Sequence, residues 1–251
     1  MEWISQFDKL TFSDEIELIK SKAHLAGYNL LKTLHQHNQK LTLITAESLT
    51  GGLIFSTLVD IPFGGIHKYG CISVYNSESK NMFLDVITTN IYSHKCAKEM
   101  AINALLKSKA TIAISATGNA MPQEDKKEHL GEVFIGIAGY VNDNTIKVTT
   151  QVYNFCYYEN MDKNINLKTI IHNKINIPFD ILDNYNDLQL TSLMAQYIRY
   201  ATVERALNIC QEYINNNHLI IPSICTQITI LCEDNIINND DGNIRKLLDI
   251  N

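Results

Sequence analysis

The stretch LITAESLTGG (residues 43–52) joins a carboxylate, a serine and two glycines to the end of an apolar run. The apolar positions predict a short buried strand at residues 41–46 and a helix at residues 50–58. Ser48 would then lie at the carboxyl edge of a sheet, where free N–H groups at the start of the helix face the same space. Such a place suits a bound anion, or the oxyanion of a carbonyl under attack.

A simpler interpretation of this turn is structural. Ser48 would cap the helix, and Glu47 would interact favourably with the N-terminal helix dipole. Serine is also a poor nucleophile unless a base removes its proton. The sequence has no Gly-x-Ser-x-Gly motif and no histidine in a recognisable triad context, so a base would have to be another type of residue.

A lysine is the candidate base. The segment SVYNSESK (residues 73–80) follows a second predicted strand at residues 71–75, so Tyr75 and Lys80 are expected near the same sheet edge as Ser48. A lysine there must be partly desolvated to be neutral near pH 7, and burial beside a tyrosine would achieve this. The alternative is an ordinary lysine on the surface.

Helices and strands alternate around these residues. Apolar spacing of three and four predicts further helices, one of them capped by Thr11 or Ser13, at residues 13–37, 93–110 and 190–213. Apolar and β-branched runs predict strands at residues 111–118, 132–140 and 146–153. This alternation favours an α/β fold, a three-layer α/β/α sandwich with a mixed sheet.

Two segments fit this plan poorly. Residues 154–189 have mixed polarity and few periodic features, which is typical of an insertion. Residues 215–251 begin with a β-branched stretch that predicts one or two added strands, and they end in an acidic, Asn-rich tail. We therefore predict one α/β domain at residues 1–214, with an insertion at about residues 154–189, and a C-terminal extension at residues 215–251.

The composition limits the class of protein. The chain has 251 residues, 45% of them hydrophobic and 19% charged, with a formal net charge of −6, which indicates a globular protein and argues against nucleic acid as a partner. Six cysteines without close spacing indicate neither a metal site nor a disulfide framework. No secretory signal and no apolar stretch of membrane-spanning length is found, so we expect a cytoplasmic protein that does not contact a membrane.

Several ordered motifs together resemble one family, the C-terminal domain of the CinA proteins, whose members include nicotinamide mononucleotide deamidases. The resemblance covers residues 13–153, with weaker support from RYATVERAL at residues 199–207. The motifs that carry it are TAESLTGG, YGCISVYNSESK, FLDV, YSHKCAKEMA, ISATGNAMP and LGEVFIGIA.

The resemblance implies an α/β/α sandwich that is commonly homodimeric and acts on a small nucleotide substrate. The implied reaction hydrolyses the carboxamide of nicotinamide mononucleotide and gives nicotinate mononucleotide and ammonia. The reaction implied by the resemblance requires no metal and no cofactor. The resemblance also implies catalytic positions at Ser48, Lys80, Tyr75 and Thr117, with Lys80 taking the Ser48 proton and the other two orienting groups. The residues expected to bind substrate are Glu47, Thr50, Gly51, Gly52, Gly118 and Arg199.

The chain also departs from the family pattern. Leu49 replaces a cysteine, the loop Gly-Ile-Ala-Gly-Pro has become GNAMP (residues 118–122), and Glu132 replaces a threonine. The expected Gly-Asp-Arg segment has no clear counterpart, so Arg199 or Arg205 would have to replace its arginine. An alternative function is therefore kept: a non-catalytic relative that binds partners through its insertion and C-terminal extension.

Overall fold

The computed structural model describes residues 14–121, 129–156, 166–222, 228–232, 236–239 and 244–245. Its helices are α1 (Asp14–Gln36), α2 (Leu53–Asp60), α3 (Ser77–Leu84), α4 (His94–Leu106), α5 (Leu167–Ile175), α6 (Phe179–Leu182) and α7 (Asp187–Asn216). Its strands are β1 (Leu43–Glu47), β2 (Lys68–Ser73), β3 (Ile112–Gly118), β4 (Glu132–Asn142), β5 (Thr145–Asn154), β6 (Thr229–Cys232), β7 (Ile236–Asn239) and β8 (Ile244–Arg245).

The strands form one mixed sheet. The order is β2-β1-β3-β4-β5-β7-β8, and β6 pairs with β5 beside β7. β1 runs parallel to β2 and β3, so the carboxyl ends of these three strands meet at one edge. β4 is antiparallel to both β3 and β5, and the hairpin turn between β4 and β5 falls at Asp143 and Asn144.

Helices cover both faces of the sheet. The core on one face joins α1, α2, α5 and α7 to Ile112 and Ile114 of β3. On the other face α3 and α4 contribute Leu84, Met100 and Leu105, which pack with Ala113 of β3. Neighbouring β3 residues thus supply opposite faces, as the two-residue period of a strand requires. The predicted three-layer α/β/α sandwich is confirmed.

Local sequence explains where the helices begin. The Ser93 side chain accepts a hydrogen bond from the Cys96 amide and caps α4. Asn186 and Gln189 form a capping box at the start of α7, which lies three residues before the predicted start of this helix. The caps predicted for α1, Thr11 and Ser13, lie outside the described residues.

Two regions differ from the sequence expectation. α3 was not predicted, because its only buried residues are Lys80 and Leu84 and so it has almost no apolar periodicity. The insertion contains α5 and α6, and Ile170, Ile171 and Ile175 of α5 are part of the main core. Sequence analysis missed α5 because its apolar run is short and followed closely by Pro178.

Among the described residues, none of the helices combines the length and the apolar character that crossing a membrane would require.

Candidate active site

Ser48 follows β1 at the sheet edge where the parallel strands end. Its amide donates to the carbonyl of Ala116 on β3, at 2.9 Å, and the carbonyl of Glu47 accepts from the amide of Val74 beyond β2, at 2.8 Å. These two hydrogen bonds hold the turn between β3 and the segment that follows β2. The Ser48 side chain is 5% exposed, so it is reached from solvent only through a narrow opening.

Two glycines give the turn its shape. Gly51 has φ +60° and Gly52 has φ +95°, a left-handed region in which residues with a Cβ are strained. Gly52 is the N-cap of α2 and has no side chain to cap the helix. The start of α2 therefore needs an acceptor from elsewhere in the chain.

Glu47 supplies that acceptor. Its carboxylate is fully buried and accepts from the amides of Ile54 at 3.0 Å and Phe55 at 2.9 Å, and also from the Thr45 hydroxyl at 2.8 Å. The capping role that the structural interpretation gave to Ser48 thus belongs to Glu47. Since the carboxylate faces α2, the structure does not place Glu47 where a substrate would touch it.

The helix start is consequently less open to an anion than the sequence suggested. The amides of Gly51 and Leu53 donate to carbonyls within the turn, and the next two amides donate to Glu47. In this turn, the amides of Leu49, Thr50 and Gly52 have no acceptor among the described residues. Two of these directly follow Ser48, which is a suitable place for oxyanion donors.

α3 positions the lysine. Asn76 caps the helix by accepting from the Ser79 amide at 2.8 Å, and this sets which residues face inward. Lys80 and Leu84, one turn apart, form the buried side of the helix. Lys80 is completely buried, and its Nζ lies 2.7 Å from the Oγ of Ser48.

The environment of Lys80 favours its neutral form. Burial lowers the pKa of Lys80 below its ordinary value of 10.5. The other neighbours of Nζ are the carbonyls of Tyr75, at 3.2 Å, and Val74, at 3.4 Å. No carboxylate is bonded to this ammonium group among the described residues, so nothing there fully offsets the cost of its burial.

A cysteine not singled out by the sequence lies behind this pair. Burial raises the pKa of the Cys96 thiol to about 11, despite the opposing influence of Lys80 and of a hydrogen bond with Thr117. The thiol is therefore neutral, and it links the lysine to the predicted threonine. Cys96 was missed because its position on α4 resembles that of any small core residue.

Tyr75 and Thr117 lie near the Ser48–Lys80 pair, but among the described residues their side-chain hydroxyls are not bonded to it. The Tyr75 ring is 72% exposed, whereas its backbone carbonyl contacts Lys80 and lies 3.5 Å from the Ser48 hydroxyl. The hydroxyl of Thr117, which is fully buried, donates to the carbonyl of Ile91 at 2.7 Å. Thr117 thus ties β3 to the segment before α4.

Gly118 is required by strand pairing. A Cβ at this position would clash with the backbone carbonyl oxygen of Glu132 on β4. The side chain of Glu132 accepts from His129 at 2.9 Å and does not line the pocket beside Ser48. Glu132, which replaces the threonine of the family pattern, therefore does not place its charge in this pocket.

Of the two candidate arginines, Arg199 reaches the turn. Its Nη2 donates to the carbonyl of Thr50 at 2.8 Å, and a Cβ on Gly51 would lie 3.8 Å from the same nitrogen. Its Nε is buried and has no partner among the described residues. Arg205 lies instead over the ring of Tyr153, 5.7 Å from its centroid.

A small pocket of about 90 Å³ opens beside Ser48. It is lined by Ser48, Leu49, Tyr75, Tyr92 and the loop residues Gly118, Asn119, Ala120 and Met121. Drug-sized ligands usually occupy roughly 300–1,000 Å³, so this pocket holds only a small planar group. The sequence did not predict Asn119 in the site. The feature that could have indicated it is an amide side chain at a position where the family pattern has an isoleucine.

The site has no evident place for a metal. Over the described ranges, no group of three or more histidine, cysteine, aspartate or glutamate side chains is arranged to hold an ion.

Comparison with known proteins places this architecture in a family. A Mycoplasma pneumoniae protein named "Protein MG115 homolog" is 35% identical over 102 residues, covering 39% of this chain and 65% of that protein. A "CinA-like protein" of Chlorobaculum tepidum is 38% identical over 117 residues, covering 44% of this chain and 27% of that protein. The matched segment thus spans less than two thirds of the length of either relative.

A solved structure shows the same fold. It is the competence damage-inducible protein A (ComA) of Klebsiella pneumoniae, with a TM-score of 0.55 and 19% identity, and the match covers 77% of this chain and 98% of that one. Residues 12–161, more than half of the chain, match the sequence pattern of the CinA C-terminal domain. The chain therefore belongs to the CinA C-terminal domain family.

Proposed function

We propose that this protein is an amidohydrolase that converts the carboxamide of nicotinamide mononucleotide to the carboxylate of nicotinate mononucleotide, with release of ammonia. The observation that carries the proposal is the hydrogen bond of 2.7 Å between Ser48 Oγ and Nζ of the fully buried Lys80. A buried lysine without a bonded carboxylate is costly to maintain and is suited to act as a base. The substrate is the one that the resemblance to the family implies.

The reaction would proceed through an acyl-enzyme. Neutral Lys80 accepts the proton of Ser48 as Oγ attacks the carboxamide carbon, and the carbonyl oxygen becomes an oxyanion. The lysine then gives this proton to the amide nitrogen, the C–N bond breaks and ammonia leaves. Water attacks the ester while Lys80 accepts its proton, the bond between the carbonyl carbon and Ser48 Oγ breaks, and Lys80 returns the proton to Oγ as the nicotinate product departs.

The surroundings of the pair support the binding of a small planar group. A pocket of about 90 Å³ fits a carboxamide and part of its ring, so the ribose and phosphate would extend outside it. Arg199, held against the turn through Thr50, is the cation best placed to attract that phosphate. Homodimerisation and a cytoplasmic location remain part of this proposal.

Ammonia release from nicotinamide mononucleotide by the purified protein tests the proposal. We expect turnover by the wild type and its loss in both Ser48→Ala and Lys80→Ala, because each removes one half of the nucleophile–base pair. Matched controls are Ser56→Ala on α2 and Lys32→Ala on α1, whose side chains are exposed and do not line the pocket beside Ser48. Turnover that survives either substitution in the pair would contradict the mechanism.

The alternative, a non-catalytic binding protein, is favoured by the extension of the sheet through β6 and β7. It predicts no ammonia release and no binding of the nucleotide by calorimetry. Binding without turnover would instead indicate a nucleotide-binding relative that has lost its chemistry.

A further inference from the structure

Asn119 lies at the end of β3, where its backbone is fixed on both sides. Its amide donates to the carbonyl of Glu132 at 2.9 Å, and its carbonyl accepts from the amide of Gly131 at 2.8 Å. Gly131 is itself constrained, because a Cβ there would lie 2.7 Å from the sulfur of Cys156. The position of Asn119 is therefore set by the sheet and not by its own side chain.

Of the two polar atoms of the Asn119 side chain, one has a hydrogen-bond partner among the described residues and the other has none. The side chain is 4% exposed, and its Oδ1 accepts from the Met121 amide at 3.3 Å. Because that neighbour is a donor, the oxygen must face it and the NH₂ group must point the other way. The Nδ2 atom is buried and has no hydrogen-bond partner within the described ranges.

A buried N–H group without a hydrogen-bond partner is unfavourable unless something binds it. Asn119 and Ser48 line the same small pocket. A carbonyl group bound beside Ser48 in so confined a space would also lie beside Asn119. Side-chain amides are among the donors that stabilise oxyanions in acyl-transfer reactions, together with backbone N–H groups such as those of Leu49 and Thr50 here.

We propose that Asn119 Nδ2 donates a hydrogen bond to the carboxamide oxygen of the substrate and stabilises the negative charge that this oxygen gains when Ser48 attacks. This inference rests on the proposed function. It assigns Asn119 a catalytic role in which the hydrogen bond strengthens as the carbonyl becomes an oxyanion, and weakens when the carbonyl re-forms. The same step explains why Nδ2 has no partner among the described residues, since its partner is present only with substrate.

The test compares kcat and KM for ammonia release by the wild type, Asn119→Ala and Asn119→Asp. We expect kcat to fall by about 10²–10³-fold in Asn119→Ala with little change in KM, since the bond matters most in the transition state. Asn119→Asp has the same shape and can still accept from Met121, but it lacks the donor and adds a negative charge. Its kcat is expected to be at least as low.

Folding is checked by the thermal midpoint of each variant, and Asn173→Ala, an exposed position on α5, is the matched control. If Asn119→Ala does not fold, the isosteric Asn119→Asp carries the test alone. A kcat within about threefold of wild type in a folded variant overturns the assignment, and so does a rise in KM at unchanged kcat. Absence of turnover in the wild type overturns the proposed function itself and the role of Asn119 with it.

Discussion

Lys80, a fully buried side chain, is the base of the proposed reaction. Its ammonium form is penalised by burial, and the atoms around Nζ are a hydroxyl and two carbonyls. This set can accept hydrogen bonds but cannot neutralise a charge, so the lysine is kept ready to take a proton. The nearby Cys96 does not change the balance, because its thiol is protonated at neutral pH.

The pH dependence of the reaction should report this lysine. Protonated Lys80 cannot accept the Ser48 proton, so kcat/KM is expected to rise with pH through the pKa of Lys80. Since burial lowers that pKa, the midpoint of the rise should lie below 10.5, the ordinary value for lysine. A profile of kcat/KM from about pH 5 to about pH 11 measures it, with circular dichroism confirming the fold at each pH. A midpoint at the ordinary lysine value would contradict the base assignment.

Glu47 is a structural residue on which the turn that carries Ser48 depends. Glu47→Gln keeps one acceptor oxygen but replaces the other with a donor, which would face the amides of α2. We expect the free energy of unfolding to fall by about 1–3 kcal/mol, as urea denaturation would show, because a buried N–H group loses its acceptor. Glu78→Gln on the exposed side of α3 is the control and should change little. Equal stabilities of the two variants would show that the cap contributes nothing.

At the scale of elements, the close packing of α4 on the sheet holds the site together. α4 carries Cys96, and the sheet strand beneath it carries Thr117, so the distance between helix and strand decides whether these residues meet. Gly136 of β4 permits that distance. A Cβ there would lie 2.6 Å from the hydroxyl of Ser115 and 2.8 Å from the carbonyl of Ala97.

Gly136→Ala is therefore expected to lower the free energy of unfolding by about 1–3 kcal/mol, because backbone atoms of α4 would have to move. Urea denaturation measures the change. Gly70→Ala, also in a strand, is the matched control, since a Cβ at Gly70 would meet nothing within 4 Å. Similar losses in the two variants would show that the helix–sheet spacing is not the constraint.

At the scale of the whole molecule, the C-terminal strands extend the sheet beyond β5. β6 and β7 pair with the two halves of β5 and occupy backbone groups that would otherwise form an open edge. The side chains of β6 are exposed, so this strand adds backbone pairing and little apolar burial. The strand β1, which leads into Ser48, lies on the opposite side of β3 from these strands.

A chain that ends at Pro222 should therefore keep its fold, because the described cores use residues before that point almost exclusively. It should also self-associate beyond the state of the full chain, because the edge of β5 becomes available for pairing. Circular dichroism and light scattering after size exclusion measure the two effects. Loss of the fold would mean that the extension is an integral part of the core.

The sequence by itself determined the strands β1 to β3, the long helices and the order of the motifs that led to the family. These features follow from local periodicity and from residues that are close together in the chain, such as the glycines after Ser48. The motifs also indicated Ser48 and Lys80 as a pair. They did not indicate α3, because a helix that buries a lysine lacks the apolar stripe by which helices are recognised.

Only the tertiary structure decided which groups face the pocket. The Glu47 carboxylate bonds to the start of α2, Arg199 and not Arg205 lies at the turn, and Asn119 Nδ2 has no partner among the described residues. Each of these outcomes depends on contacts between residues far apart in the chain, and no local pattern records such contacts. Burial, which lowers the pKa of Lys80, likewise exists only once α3 has packed against the sheet.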